Sequence, residues 1–170
     1  MADPADVSKL KVADFGLSAK TQHMGFETSS ELYGTILFMG PECLLKSVYS
    51  KPIDVFATGI IMHMLLTGGK HPLYDSPHFN FETYRQNMLK LSKLSFPENL
   101  SKLAASMFHG LTAFKLSSRY SATRALEHPW ITRLNKTTIP STLDERIGQV
   151  ALESNLRTKF GVMLFLAKLT

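Results

Sequence analysis

The sequence predicts a mainly α-helical fold with one short strand near its start, on the strength of three observations. Residues 53–66 are apolar on nearly every side, which is typical of a helix surrounded by protein. Residues 81–91 and 100–111 each carry one apolar stripe at helical spacing. Residues 10–13 alternate with the two-residue period of a strand that buries one face. We therefore expect helices packed around the 53–66 segment.

The tripeptide Asp14-Phe15-Gly16 follows the predicted strand. In isolation it suits an ordinary turn at the end of a strand as well as a functional site, because Asp and Gly are both favoured in turns. A long connection with few apolar anchors before Leu32 comes next. Long connections of this kind lie on the surface and often carry function.

The helical segments also carry signals for their ends and their buried faces. The two stripes are predicted core faces, formed by Phe81, Tyr84, Met88 and Leu91 in the first and by Leu100, Leu103, Ala104, Met107 and Leu111 in the second. Ser121 is a predicted N-cap for the helix that follows it, and His128-Pro129 should stop that helix. Trp130 is expected to pack beneath it, and His63 is expected to be a core histidine with its hydrogen bonds satisfied.

Composition excludes several classes of protein. At 170 residues with 44% apolar and 19% charged residues, the chain can bury one ordinary core. Its single cysteine, Cys43, permits no internal disulfide and is predicted to be a buried small hydrophobe. The net charge of +5 is scattered, so we expect no nucleic-acid binding. No apolar run approaches about 18 residues and the start does not resemble a secretion signal, so no membrane association and a location in the cytosol or nucleus are expected.

Ordered motifs identify a family. After Asp14-Phe15-Gly16 come Tyr33-Gly34-Thr35, Gly40-Pro41-Glu42, Asp54 in the first turn of the apolar helix, and Arg119 before the run 125–131. Together they resemble the C-terminal lobe of a eukaryotic serine/threonine protein kinase, with the closest likeness to the calcium/calmodulin-dependent group. The resemblance divides the chain into a partial kinase domain at 1–133 and a linker with a C-terminal helical, regulatory-type extension at 134–170.

The resemblance implies roles near the start of the chain. Asp14 would be the magnesium ligand, and Asp14, Phe15 and Gly16 together the cofactor-binding motif, with Phe15 packed inward and Gly16 acting as a hinge. Thr35 would help to position the acceptor hydroxyl, and residues 36–38 would form a wall for docking substrate. The intervening loop would be the activation segment, in which five side chains are either phosphate acceptors or ordinary loop residues: Thr21, Thr28, Ser29, Ser30 and Tyr33.

The resemblance also implies three structural residues. Glu42 would pair with Arg119 in the interior, and Asp54 would accept hydrogen bonds from the backbone of a catalytic loop that these 170 residues do not contain. Gly40 replaces the usual Ala, which we expect to loosen the backbone without changing the chemistry. Phe56 and Ala57 replace the usual Trp and Ser after that Asp.

Several parts that catalysis requires do not occur in the 170 residues. There is no glycine-rich phosphate loop, no strand lysine paired with a helix glutamate, and no His-Arg-Asp loop with its downstream Asn. We therefore expect ATP and Mg²⁺ to act in a full-length parent and neither to bind this chain alone. The preferred interpretation is a fragment of an ATP- and Mg²⁺-dependent serine/threonine kinase, inactive by itself. The alternative is a non-catalytic lobe that binds a partner protein.

The C-terminal segment leaves two interpretations open. Residues 139–142 are a predicted linker, and 143–169 one or two helices. Leu156, Phe160 and Met163, with nearby basic residues, resemble the calmodulin-binding helix of related kinases. However, residues 161–167 are apolar on every side, whereas a calmodulin target keeps a polar face. Packing against the lobe, or against sequence that these 170 residues do not contain, is the other interpretation.

Overall fold

The computed structural model describes residues 12–18, 27–28, 32–75, 78–90, 97 and 100–132, with the backbone alone for 27–28. Within these ranges the structure is mainly helical, as predicted. The elements in chain order are β1 (Glu27–Thr28), a 3-10 turn (Ile36–Phe38), α1 (Pro41–Lys46), β2 (Val48–Tyr49), α2 (Pro52–Leu66), α3 (Phe81–Leu89), α4 (Lys102–Leu111), a second 3-10 turn (Leu116–Ser118), α5 (Ala122–Leu126) and α6 (Pro129–Thr132). The predicted division at residue 133 and the C-terminal helices lie outside the described residues.

The strand content of the described residues is small. β1 and β2 form an antiparallel pair in which Glu27 lies opposite Tyr49 and Thr28 opposite Val48. Of the strand predicted at 10–13, the structure describes Val12 and Ala13, whereas Leu10 and Lys11 lie outside the described residues. Val12 and Ala13 have no regular secondary structure. This short ladder ties the long connection after Asp14 to the segment that follows α1.

Helix α2 is packed on two sides, which explains why its sequence is apolar nearly all round. Phe56, Ala57, Ile60 and Met64 belong to one core cluster, which also holds Phe38, Leu44, Leu73, Tyr84 and Met88. Met62 belongs to a second cluster, with Ala104, Met107, Phe108, Leu111 and Ala125. A helix that packs against two cores needs apolar side chains around most of its circumference. The prediction of a central helix surrounded by protein is confirmed.

Helices α3 and α4 begin at capping side chains. The Asn80 side chain accepts a hydrogen bond from the Thr83 amide at 2.8 Å, and Ser101 accepts one from the Ala104 amide at 3.0 Å. Each cap satisfies a backbone donor that the first helical turn leaves unpaired. The predicted core faces are largely confirmed, but Phe81 is 40% exposed because it is the first residue of α3 and lies at the edge of the core. Leu91 lies outside the described residues.

The contact between α2 and α4 is close because Gly59 has no side chain. A Cβ at Gly59 would lie 2.5 Å from Cγ2 of Thr112 and 2.9 Å from Cβ of Leu111. Neither atom belongs to the flexible end of a long side chain, so the helices would have to move apart. Gly59 therefore sets the separation of the two helices that carry the second core cluster.

The end of the described chain follows the sequence prediction. Ser121 caps α5 by accepting a hydrogen bond from the Arg124 amide at 3.2 Å. α5 ends at Leu126, and Pro129 starts the short helix α6. The Trp130 amide donates to Nδ1 of His128 at 3.1 Å, and the Trp130 side chain packs partly buried against the second cluster.

His63 and Cys43 both lie in the interior, as predicted. Nδ1 of His63 donates to the Lys70 carbonyl at 3.0 Å, and burial lowers the pKa of the ring. Cys43 is 1% exposed, and burial raises the pKa of its thiol to about 12. The neutral thiol donates to the Val48 carbonyl at 3.0 Å, so this cysteine is a packing residue. Among the described helices, none has the length and apolarity needed to cross a membrane.

Candidate functional site: an ion pair at the end of the loop that starts at Asp14

Asp14 lies at an exposed, tightly turned part of the backbone. Its φ of 66° is in the left-handed region, which Asp adopts more readily than most residues. Oδ1 of Asp14 accepts a hydrogen bond from the Gly16 amide at 3.1 Å, and the Ser18 amide donates to the Phe15 carbonyl at 2.9 Å. The carboxylate is thus oriented by its own turn and directed to solvent.

Phe15 does not pack inward as expected. Its side chain is 47% exposed, and Leu17 beside it is 59% exposed. The reason is that the buried clusters of the described residues lie in the helical part of the chain and include neither side chain.

The described residues near Asp14 do not form a magnesium site by themselves. Mg²⁺ requires near-octahedral oxygen coordination and is usually held by one or two carboxylates together with substrate phosphates and water. The described part of the chain contains no group of three or more His, Cys, Asp or Glu side chains that could hold a metal ion. Asp14 offers one exposed carboxylate, which is one ligand of the required set.

The predicted substrate wall is partly a core element. Thr35 immediately precedes the 3-10 turn, and Ile36 and Leu37 are half-buried against the first cluster. Phe38 is buried within that cluster, so it cannot form an exposed wall. With three residues per turn, the three side chains point in different directions, and that of Phe38 faces the first cluster. Thr35, Ile36 and Leu37 remain accessible in part.

Glu42 and Arg119 form a buried, bidentate ion pair. Nη1 and Nη2 of Arg119 donate to Oε1 and Oε2 of Glu42 at 2.5 and 2.7 Å. The guanidinium also donates from Nη1 to the Pro52 carbonyl at 3.1 Å and from Nε to the Ala113 carbonyl at 3.0 Å. Both side chains are almost completely excluded from solvent. Arg119 therefore joins α1, the start of α2 and the segment after α4.

Gly40 has a role that differs from the expected loosening of the backbone. Its φ of −69° is accessible to any residue, so backbone freedom is not what the position requires. A Cβ at Gly40 would lie 2.8 and 2.9 Å from the two carboxylate oxygens of Glu42. Since Arg119 holds those oxygens in place, the missing side chain leaves room for the ion pair.

Asp54 lies in the first turn of α2 with its carboxylate half-buried. The described residues contain no hydrogen-bond donor to that carboxylate. The Asp54 backbone is paired, since its carbonyl accepts from the Thr58 hydroxyl at 2.8 Å and its amide donates to the Lys51 carbonyl at 3.3 Å. Burial raises the pKa of Asp54 to about 7. This position favours the protonated carboxyl, or an ionised carboxylate that accepts hydrogen bonds from another group.

Phe56 and Ala57, the two departures from the family pattern, are both packed. The Phe56 ring lies under the Arg119 guanidinium, with the ring centroid 5.1 Å from the guanidinium carbon. A phenyl ring supplies the flat face that a cation–π contact needs, as an indole would. Ala57 is buried in the first cluster, where a hydroxyl would need a partner.

The structure joins some of the predicted site residues and leaves others apart. Glu42 and Arg119 are in direct contact. Asp14, Phe15 and Gly16 share one exposed turn. Of the five hydroxyl-bearing loop residues, Tyr33 has a described side chain, which is exposed, while its amide donates to the Tyr49 hydroxyl at 2.7 Å. Sequence reasoning missed His71 and Tyr84 as partners of the turn 36–38, since no local pattern signals a contact across 34 or 47 residues.

Comparisons with known proteins agree with this geometry. The family model described as protein kinase domain matches residues 2–131. The chain belongs to the protein kinase family. The match includes the turn at Asp14, the Glu42–Arg119 pair and the central helix α2.

The similar curated proteins are serine/threonine kinases. The chain is 32% identical over 130 residues to the human serine/threonine-protein kinase H2, with 75% of the chain and 33% of the relative covered. It is 29% identical over 161 residues to calcium/calmodulin-dependent protein kinase type 1 of Macrobrachium nipponense, covering 92% of the chain and 45% of the relative. It is also 29% identical over 152 residues to the delta subunit of calcium/calmodulin-dependent protein kinase type II of Oryctolagus cuniculus, covering 84% and 26%. The chain thus spans less than half the length of each of these kinases.

Proposed function

We propose that this chain is the helical lobe of a serine/threonine protein kinase of the calcium/calmodulin-dependent group. In this role it positions the protein substrate, and a full-length parent supplies phosphoryl transfer from ATP with Mg²⁺. The supporting observation is the buried pair between Glu42 and Arg119, which anchors the far end of the loop that starts at Asp14. A loop fixed at one end and exposed at the other can set a substrate against a nucleotide held by other parts of a kinase.

We further propose that the 170-residue polypeptide does not transfer phosphate by itself. Phosphoryl transfer depends on positioning and on charge stabilisation by several groups acting together. Asp14 would contribute one metal ligand and Thr35 a contact to the acceptor. The nucleotide-binding lysine, the catalytic base and the second metal ligand do not occur in the sequence as family motifs.

A chimera tests the proposed role. Residues 14–170 would replace the corresponding part of the type 1 calcium/calmodulin-dependent kinase of Macrobrachium nipponense, which would keep its own segment up to the Asp-Phe-Gly motif. We expect peptide phosphorylation by the chimera, loss of that activity in Asp14→Asn, and retention in Asp75→Asn, a matched change of an exposed acid. A chimera that melts cooperatively and transfers no phosphate would contradict the proposed function.

The division into a lobe at 1–133 and an extension at 134–170 is part of the same proposal. Leu156, Phe160 and Met163 lie outside the described residues. The similarity to calcium/calmodulin-dependent kinases makes calmodulin a candidate for this segment. A titration of a peptide of residues 150–170 with Ca²⁺-calmodulin distinguishes calmodulin binding from packing against the lobe. Calcium-dependent binding of the unaltered peptide, lost in the double variant Arg157→Glu, Lys159→Glu, would support calmodulin binding. Absence of binding at micromolar concentration would exclude calmodulin binding.

A further inference from the structure

The carbonyl oxygen of Leu37 accepts hydrogen bonds from two side chains that are distant in sequence. The Tyr84 hydroxyl, on α3, donates to it at 2.9 Å. Nε2 of His71, in the turn between α2 and α3, donates to it at 2.8 Å. A carbonyl oxygen has two lone pairs and can accept both. The 3-10 turn 36–38 is thereby held from two directions.

The orientation of His71 is fixed by its other ring nitrogen. Nδ1 accepts a hydrogen bond from the Leu73 amide at 3.1 Å, so in the neutral ring the proton is on Nε2, which faces Leu37. The Leu73 carbonyl in turn accepts from Nδ2 of Asn87 at 2.8 Å. Asn87 lies three residues after Tyr84 and therefore on the same face of α3. The same face of α3 thus carries the Tyr84 donor and, through Asn87 and the Leu73 backbone, helps to hold the His71 donor in place.

The surroundings of these hydrogen bonds exclude much of the water that could replace them. Tyr84 has 0% exposure, and burial raises the pKa of its hydroxyl, which stays neutral and able to donate. The His71 ring lies 5.8 Å from the Tyr84 ring and 6.4 Å from the Phe38 ring, measured between centroids. Hydrogen bonds are stronger, and costlier to lose, in such an apolar environment.

We propose that His71 and Tyr84 are positioning residues that fix the Leu37 carbonyl, and through it the turn that sets Thr35, Ile36 and Leu37 against a protein substrate. The functional part of this inference rests on the proposed function. The Phe38 and Met39 amides donate to the Thr35 and Ile36 carbonyls at 2.9 and 3.1 Å, so they report on the same turn. Removing either donor to Leu37 should loosen that turn and leave α4 unchanged.

Amide hydrogen exchange of the full 170-residue chain tests the inference. Tyr84→Phe removes one hydroxyl and keeps the buried ring, and we expect exchange at Phe38 and Met39 to rise about fivefold, the effect of one hydrogen bond. The α4 amides should be unaffected. Tyr120→Phe is the matched control, because no partner of the Tyr120 hydroxyl is found among the described residues. Unchanged exchange at Phe38 and Met39 in Tyr84→Phe would overturn the inference.

Two measurements separate a specific hydrogen bond from general packing. His71→Gln can place an amide donor near the Nε2 position, whereas His71→Leu cannot, so His71→Gln should exchange more slowly at Phe38 than His71→Leu. Equal exchange in the two variants would contradict the role of the His71 donor. In the unaltered chain, ¹⁵N NMR of the ring should show a protonated Nε2 and an unprotonated Nδ1. The opposite tautomer would overturn the inference without any variant having to fold.

The chimera keeps this inference distinct from the proposed function. In an active chimera, Tyr84→Phe should raise the KM for the peptide about fivefold and leave the KM for ATP unchanged, because the turn faces the substrate. An unchanged peptide KM would contradict the positioning role. An inactive chimera combined with the expected exchange pattern would contradict the proposed function alone.

Discussion

At the level of single side chains, Arg119 is where three segments of the protein meet. Its guanidinium donates to Glu42, to the Pro52 carbonyl and to the Ala113 carbonyl, and it covers the ring of Phe56. Glu42 belongs to α1, Pro52 and Phe56 belong to α2, and Ala113 lies after α4. The arginine therefore does more than neutralise a buried carboxylate, because it closes α1 onto α2 and onto the segment after α4.

Arg119→Leu should destabilise the protein strongly. Leaving Glu42 buried without its partner is expected to cost roughly 3–5 kcal/mol, which corresponds to a fall in Tm of about 10 °C or more. Arg85→Leu is the control, because Arg85 lies 3.7 Å from Glu82 in an exposed pair and should change stability by less than about 0.5 kcal/mol. Thermal melts of both variants measure the two changes in Tm. A fall in Tm of less than about one degree in Arg119→Leu would show that the ion pair does not stabilise the fold to this extent.

Asp54 should make stability depend on pH. Burial raises its pKa to about 7, well above the value of about 3.9 in an unfolded chain. The folded state therefore binds the proton more tightly, and the stability from this group is fully present below about pH 4 and is lost as the pH rises through about 7. Asp54→Asn removes that loss, so its gain in Tm over the unaltered protein should be larger at about pH 8 than at about pH 4.

The exposed Asp75 provides the control for this measurement. Asp75→Asn should shift Tm by the same small amount at both pH values, because that side chain is in contact with water. Equal shifts for Asp54→Asn at both pH values would mean that the Asp54 carboxylate is not desolvated as the structure indicates.

At the level of helices, Gly59 controls how closely α2 approaches α4. In an exposed helix, replacing Gly with Ala stabilises by about 1 kcal/mol. Here the added Cβ would meet Thr112 at 2.5 Å and Leu111 at 2.9 Å, so Gly59→Ala should destabilise by roughly 1–3 kcal/mol. Chemical denaturation measures the change.

Two further variants sharpen the Gly59 experiment. Thr58→Ala alters the neighbouring, exposed position of α2 and should stay within about 0.5 kcal/mol. Thr112→Ser removes the methyl group that the new Cβ would meet, so it should recover part of the loss when combined with Gly59→Ala. A Gly59→Ala variant that is more stable than the unaltered protein would contradict the close approach of these helices.

The helices could be predicted because their signals are local. The apolar character of α2, the stripe of α4 and the cap at Ser121 depend on residues a few positions apart, and the structure has all three. The errors concern contacts between distant segments. The burial of Phe38 and the pairing of β1 with β2 depend on residues brought together by the fold. No spacing along the chain encodes them.

For the whole molecule, the order of the motifs along the chain was more informative than any single motif. Asp14-Phe15-Gly16 suits an ordinary turn, and the structure does place it in one. The family became evident from the sequence of Asp14, Glu42, Asp54 and Arg119 along the chain, and the match to the protein kinase domain over residues 2–131 bears this out. The exposure of Phe15 could not be predicted from the motif, because three residues do not determine which surfaces pack against them.

The most direct test is a phosphate-transfer assay on the purified 170-residue chain with radiolabelled ATP, Mg²⁺ and a basic peptide substrate. The sequence contains no glycine-rich loop, strand lysine or His-Arg-Asp loop as family motifs, so we predict no incorporation above a protein-free control and none that changes in Asp14→Asn. Incorporation that increases in proportion to the amount of chain, and that Asp14→Asn abolishes, would contradict the proposal that this lobe depends on other parts of a kinase for catalysis.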